Sequence, residues 1–348
     1  MKGSVMRAVG TVVFAACLGV AGQVVAQTNI KVATVVPEGP AAEVQGLKIF
    51  KEYVEFRSNG ELTVQPFFGQ LGGEREITEQ VMQGTLEMGI AADGAIAGFF
   101  PDIQVFSIPY LFPSSPVVWA FYSHPFAQEL AENMRQQTGI RVLTWAENGF
   151  RNFTNSVRPI RTPEDMAGLK MRTMESPVYM RFVESLGASA TPISAAEMIL
   201  ALRQGVVDGQ ENATPIVHDF GIADVQQYMS IDEHILGLHG IMINDTFYQS
   251  LPEDHQAIVA DGAILYRTWS DARKAAMHNE YVQKIRDKGV EVTVLSPSEK
   301  EAFKEISQEP VKQYIIEQVG EELVNGLIAA VEDSKEMVRN YGGGSDGD

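Results

Sequence analysis

Gly168-Leu169-Lys170-Met171-Arg172-Thr173 and Ala195-Ala196-Glu197-Met198-Ile199-Leu200-Ala201-Leu202-Arg203-Gln204 are the two runs from which the fold can be read. The first is a short run that reads as a strand, and the second reads as a helix. The same alternation extends to both sides. Residues 30–36 read as a strand, and residues 40–57 as a helix with Val44, Leu47, Phe50 and Val54 on one face. Residues 62–67, 86–91 and 141–146 read as further strands, and residues 74–83 as a helix. Strands alternating with helices argue for parallel sheets flanked by helices, an α/β architecture. Residues 254–289 stay helical in character without a proline. At 1.5 Å per residue such a helix spans roughly 50 Å, enough to cross from one domain to another.

The chain has 348 residues, 45% of them hydrophobic and 21% charged, which is a globular composition. Its length suggests two domains. No Gly/Ser/Pro-rich linker and no internal repeat divides it, so the chain is expected to pass between the domains more than once. With 27 Lys and Arg against 45 Asp and Glu, the formal charge is −18. Nucleic acid needs a basic footprint and is a poor partner for such a chain. Anionic membrane surfaces are disfavoured for the same reason. An anionic ligand requires a locally positive pocket.

Lys2 and Arg7 precede an uncharged apolar run over residues 8–22, and Val24-Val25-Ala26 supplies a small residue for cleavage. Residues 1–26 read as a secretory signal peptide cut after Ala26. The apolar run is short of the roughly 20 residues a membrane span needs. Its removal takes Lys2 and Arg7 away, so −18 becomes −20, and takes Cys17, the single cysteine. A lipid attached at Cys17 is disfavoured by Phe14, three residues before it. The mature chain is expected outside the cytoplasm, without disulfide or thiol metal site. At the other end, the glycine-rich acidic residues 342–348 read as a disordered tail.

Common catalytic signatures are missing: there is no GxSxG, HExxH, GxxxxGK[ST] or strand-linked GxGxxG. His124, His218, His234, His239, His255 and His278 show no i,i+4 ligand spacing on a helix. His234 and His239 read as structural or pocket-lining rather than as metal ligands. Neither a metal nor a cofactor is expected.

Between residues 145 and 215 lie Trp145-Ala146-Glu147-Asn148-Gly149-Phe150-Arg151, Gly168-Leu169-Lys170-Met171-Arg172, Leu186-Gly187-Ala188, the Glu197-to-Gly205 helix and Val207-Asp208-Gly209-Gln210-Glu211-Asn212. This ordered set resembles the periplasmic solute-binding proteins of TRAP transporters, of the dicarboxylate-receptor (DctP) type. Gln70-Leu71-Gly72-Gly73-Glu74-Arg75, Gly84-Thr85-Leu86-Glu87-Met88 and Pro109-Tyr110-Leu111-Phe112 extend the resemblance over nearly the whole mature chain. The resemblance implies a two-lobed periplasmic binding protein fold, with two α/β domains around a ligand cleft joined by hinge strands and a long helix. The expected lobes are residues 27–148 with 238–277, and residues 149–237 with 278–341.

It also implies a receptor, not an enzyme. Such a receptor acts as a monomer, closes on a small organic acid and delivers it to the membrane permease subunits. Arg172 would clasp the ligand carboxylate, because a guanidinium presents two parallel N–H donors and stays charged away from water. Without the motif, a surface ion pair explains Arg172 equally well. Asn212 would add an amide donor, and Arg151 a second positive charge. Glu38, Glu74, Arg75, Ala92 and Asp93 fall where the family touches the distal part of its ligand, while Trp145, Phe67 and Phe100 are candidate pocket walls. Glu197 and Asp208 are assigned to structure. Three alternatives stay open: a zwitterion receptor of the ectoine type, using Glu38 with Trp145 and Phe100; a sensor partner; and a periplasmic enzyme.

Overall fold

The structure is a computed structural model and describes residues 27–341. The expected signal peptide, Cys17 and residues 342–348 lie outside the described residues. Ten strands form one continuous sheet: β1 (Thr28–Thr34), β2 (Leu62–Phe68), β3 (Met88–Ala92), β4 (Ile140–Asn155), β5 (Lys170–Thr173), β6 (Ser189–Pro192), β7 (Gly209–Ala213), β8 (Tyr228–Ile231), β9 (Leu236–Asn244) and β10 (Glu291–Val294). The order β2-β1-β3-β9-β4-β7-β5-β6 runs along the sheet, with β8 attached to β4 and β10 to β8.

β4 belongs to two halves. Its residues 140–150 pair with β9, and residues 151–155 pair with β7 and β8. The expectation of parallel sheets holds within each half, where β1 pairs with β2 and β3, and β5 with β6 and β7. It fails at the junction, where β9 runs antiparallel to both β3 and β4. β9 is buried at all nine residues. Both of its faces are covered, so it shows none of the alternation that marks a half-exposed strand. The strand expected at residues 141–146 extends to Asn155, through polar residues that face the junction.

Val44, Leu47, Phe50 and Val54 do form the buried face of the helix Ala42–Arg57. Each such side chain contributes about 1.5–3 kcal/mol by leaving water. That face packs on Val259, Ala263 and Tyr266 of the long helix Glu253–Asp287. Gly46 lets the two helices approach, since a Cβ there would lie 2.9 Å from the Tyr266 ring. Further along, Val282 and Ile285 of the same helix join Val217 and Met229 in the core of the second half. The long helix therefore crosses from one half to the other, as do β4 and the segment leading into β9. The last helix, Glu321–Tyr341, returns to the first half. Its Val324, Leu327 and Val331 share a core with Phe121 of the helix Ser115–Phe121 and Leu130 of the helix Pro125–Thr138.

Two motif glycines have direct physical reasons. Gly168 turns the chain into β5 at φ 75°, in the left-handed region. Gly209 opens β7 so close to β4 that a Cβ would lie 2.2 Å from the Thr154 carbonyl oxygen.

Candidate functional site

The parallel strands β1, β3, β5 and β7 aim their carboxyl ends at the junction of the two halves, the usual place for a ligand in an open α/β sheet. A narrow cavity of about 30 Å³ lies there. The first half supplies Val35, Val36, Glu74, Asn148 and His239. The second supplies Arg151, Arg172, Met174, Ala195, Met198, Asn212, Ile216 and Phe220. A ligand of several heavy atoms enters only if the halves part and the flexible Met174 and Met198 side chains swing aside.

Two arginines on this cavity have opposite surroundings. Arg151 is held by a carboxylate: its Nε and one terminal nitrogen hold both carboxylate oxygens of Glu211, the second at 2.9 Å, and that nitrogen also donates to the Glu211 carbonyl at 2.7 Å. The Tyr179 ring covers its face at 5.3 Å. Burial works against the charge, but Glu211 more than compensates and raises the Arg151 pKa. Glu211 in turn meets His234 at 3.3 Å, and His234 meets Asp232 at 2.8 Å. These four groups form a buried, nearly charge-balanced chain.

Arg172 differs. Its Nε donates to the Ile193 carbonyl at 2.7 Å, and no carboxylate among the described residues pairs with its guanidinium. It is 1% exposed. Burial pushes its pKa down to about 10, with Glu211 opposing and Arg151 reinforcing that fall, so it keeps its charge at neutral pH. A buried cation without a counter-ion is expensive to hold. Beside it, Asn212 uses Oδ1 on the Ala213 N–H at 3.2 Å, while its Nδ2 has no acceptor among the described residues. The two together present N–H donors to one side of the cavity.

The opposite side is acidic. His239 of β9 has Nδ1 3.2 Å from Glu43 and Nε2 3.9 Å from Glu74. Neither contact has good hydrogen-bond geometry. Glu43 is oriented by the Thr34 hydroxyl, and Glu74 by the Ala92 N–H at 3.0 Å. Burial raises the Glu74 pKa. Glu43 is also buried, yet His239 and Lys274 outweigh that penalty and lower it.

The structure thus brings Arg172, Asn212, Arg151 and Glu74 to one cavity. Ala92 borders it indirectly, through its N–H on Glu74. Asp93 sits behind, accepting from Ser107 at 2.9 Å and from Tyr179 at 3.3 Å, and so ties the two halves together. Five residues expected at the site lie elsewhere. Glu38 is on the surface and pairs with Lys48 at 3.2 Å, because the loop after β1 turns outward. Arg75 is exposed and lies over Phe99, since the helix Glu74–Gln83 can turn only one of two neighbouring residues inward. Trp145 and Phe100 are core residues: Trp145 donates Nε1–H to the Ala127 carbonyl at 3.2 Å, and both belong to the large apolar cluster. Phe67 packs against that same cluster rather than on the cavity. Glu197 accepts from the Ser194 hydroxyl and Asp208 from the Lys170 N–H.

Sequence reading missed Glu43, Asn148, Met174 and the role of Glu211. Glu211 had a signal, adjacency to Asn212 within the same motif. Glu43 had none, being one acidic residue in a helix whose apolar face alone was legible.

Two larger cavities, of about 440 and 400 Å³, lie at the back of the hinge and beside the helix Pro125–Thr138. In the first, Lys274 is committed to the Glu147 carbonyl and Lys300 to Glu233. In the second, Arg135 and Arg141 are paired with Asp245. Lys274 is buried with its ammonium on a backbone carbonyl, but neither cavity holds a buried arginine without a carboxylate partner among the described residues. Among the described residues no group of three or more His, Cys, Asp or Glu is placed to hold a metal, and no helix is long and apolar enough to cross a membrane.

Comparison with known proteins agrees with this geometry. A solute-binding protein of Verminephrobacter eiseniae is 33% identical over 284 residues, 81% of this chain and 82% of that one. The ectoine-binding periplasmic protein TeaA of Halomonas elongata is 31% identical, over 78% and 80% of the two chains. A TRAP periplasmic solute-binding protein of Polaromonas, solved with D-erythronate bound, superposes with a TM-score of 0.82 at 28% identity, over 87% of this chain and 99% of that one. The model of the bacterial extracellular solute-binding proteins, family 7 (DctP), matches residues 33–318, the two halves of the sheet with the cavity between them, and the chain belongs to that family.

Proposed function

We propose that this chain is the extracytoplasmic receptor of a TRAP-type, ion-gradient-driven transporter. In this reading it captures a small organic anion by closing its lobes and passes it to the membrane permease. The observation that carries the reading is the buried Arg172, which has no carboxylate partner among the described residues and faces a cavity shared by both halves. A ligand carboxylate supplies the missing counter-charge with two parallel hydrogen bonds, and Asn212 adds a third donor. Arg151, neutralised by Glu211, contributes shape and a hydrogen-bonded wall rather than net charge. Ligand contacts to both lobes favour the closed arrangement, the state the permease recognises.

The lobes are residues 27–148 with 238–277 and residues 149–237 with 278–320. The packing of Glu321–Tyr341 on the helices of residues 115–138 supports assigning this last helix to the first lobe, rather than the second as the sequence suggests. Secretion through residues 1–26, action as a monomer and a receptor role without catalysis complete the proposal. The relative named for ectoine binding favours a zwitterion receptor as the second reading. That reading called on Glu38, Trp145 and Phe100 for a carboxylate and an aromatic box, and none of the three lines this cavity.

The test is thermal unfolding of the protein from Gln27 onward against C4-dicarboxylates, sugar acids, sulfonates, keto acids and ectoines, beside Arg172→Ala. A ligand at 100 times its Kd adds about 2.7 kcal/mol. One acid is expected to raise Tm by several degrees, and Arg172→Ala to abolish the shift. Stabilisation by neutral or cationic solutes alone would return Arg172 to a structural role.

A further inference from the structure

The side of the cavity remote from Arg172 differs chemically from a second carboxylate site. We infer that His239, held between Glu43 and Glu74, reads the distal end of the ligand, and that the ligand class is a monocarboxylate with a hydroxyl at that end, dicarboxylates being rejected. The inference rests on Arg172 being the carboxylate clasp and adds what the other pole selects.

The distal pole offers acceptors in excess. Asn148 Oδ1 is buried without a hydrogen-bond partner, and Glu74 has one oxygen on the Ala92 N–H with its second uncommitted by any hydrogen bond among the described residues. Glu43 Oε2 and His239 Nδ1 are buried 3.2 Å apart, without hydrogen-bond geometry and with no other partner among the described residues. Lys274, which acts on Glu43 electrostatically, has its ammonium on the Glu147 carbonyl. Apart from His239, which already lies between two glutamates, no cationic side chain of this pole faces the cavity among the described residues, so a second ligand carboxylate would meet Glu74, with Glu43 on the other ring nitrogen of His239. Such like-charge juxtaposition is how a site turns away a wrong partner. A hydroxyl suits the pole on both counts: its proton goes to Glu74 or Asn148, and its oxygen accepts from His239. An ammonium is served less well, because the imidazole already occupies the space between the two carboxylates. A pole with buried polar groups discriminates strongly, since a ligand without the matching group leaves them unpaired.

Isothermal titration of the protein from Gln27 onward with D-erythronate, D-galactonate, succinate and ectoine tests this. Wild type is expected to bind a hydroxy acid at least 100-fold more tightly than succinate. Glu74→Gln should narrow that ratio tenfold or more by removing one repelling charge. His239→Gln, the second variant should Glu74→Gln not fold, should weaken the hydroxy acid at least tenfold more than it weakens succinate. Succinate binding as tightly as the hydroxy acids, ectoine binding most tightly, or variants that weaken every ligand equally would each overturn the inference. Arg172→Ala separates it from the reading beneath: loss of all binding in that variant with the wrong ligand preference in wild type defeats the distal pole alone. Hydroxy-acid binding that survives Arg172→Ala defeats the clasp, and an absence of heat with every acid defeats both.

Discussion

Replacing Glu211 with Gln tests the electrostatics of the hinge most sharply. The substitution keeps the side-chain shape and removes the charge that neutralises Arg151. Arg151 is 1% exposed and Glu211 is fully buried, so water cannot take over the role of the lost carboxylate. With charge centres roughly 4 Å apart and an effective dielectric constant of about 20, the attraction is about 4 kcal/mol. Breaking a buried pair from one side costs about 3–5 kcal/mol, in agreement. Part survives, because the Arg151 contact to the Glu211 carbonyl at 2.7 Å involves only the backbone. The expected loss for Glu211→Gln is therefore about 3 kcal/mol, read as a fall in Tm of several degrees at pH 7. Arg151→Met paired with Glu211→Leu removes both charges together. That double variant should recover at least 2 kcal/mol relative to the sum of the single variants. A loss below about 1 kcal/mol for Glu211→Gln, with additive double-variant energies, would refute the picture of a cation held by this carboxylate alone.

Other consequences follow from the buried acids and from one glycine. Burial raises the Asp93 pKa to about 6, so the folded state takes up a proton more readily than the unfolded chain and loses stability as pH rises from about 4 to 6. At about 1.36 kcal/mol per pKa unit the penalty reaches roughly 3 kcal/mol above that window, so Asp93→Asn should raise Tm at pH 7.5 and leave it nearly unchanged at pH 4. Burial, then Asp271, lifts Glu147 to about 8, with Lys274 opposing. The stability lost as pH rises through about 5 to 8 should vanish in Glu147→Gln, which parallel melts at pH 5 and pH 9 will show. Gly209→Ala sets a Cβ 2.2 Å from the Thr154 carbonyl oxygen, a backbone atom that cannot rotate away. It should cost about 3 kcal/mol or more in urea unfolding, whereas Ala at an exposed, conformationally ordinary site would change little.

Much of the fold was legible because its signals are local. The helix Ala42–Arg57 presents its apolar face at helical spacing, and Glu253–Asp287 runs without a proline or a stop, so both were found to within two residues of their ends. β9 was not found, because burial on both faces leaves no period to detect. The continuation of β4 through Glu147-Asn148-Gly149-Phe150-Arg151 was hidden by its polar residues, which are there because the junction is the site. Arg172, Asn212 and Arg151 were marked by motif. Which of the two arginines lacks a counter-ion depends on Glu211 coming across from β7, and no spacing encodes that. His239 and Glu43 meet across nearly two hundred residues of chain, so their pairing exists only in three dimensions. Trp145 was misread because an aromatic beside a motif looks the same in sequence whether it walls a pocket or fills a core.

The most direct test of the central claim is a crystal structure of the protein with its tightest-binding acid. The expected result places the ligand carboxylate in two parallel hydrogen bonds, at about 2.7–2.9 Å, with the terminal nitrogens of Arg172, and a third with Asn212. A carboxylate seated at the His239 end, or a ligand bound with Arg172 turned away from it, would contradict the account.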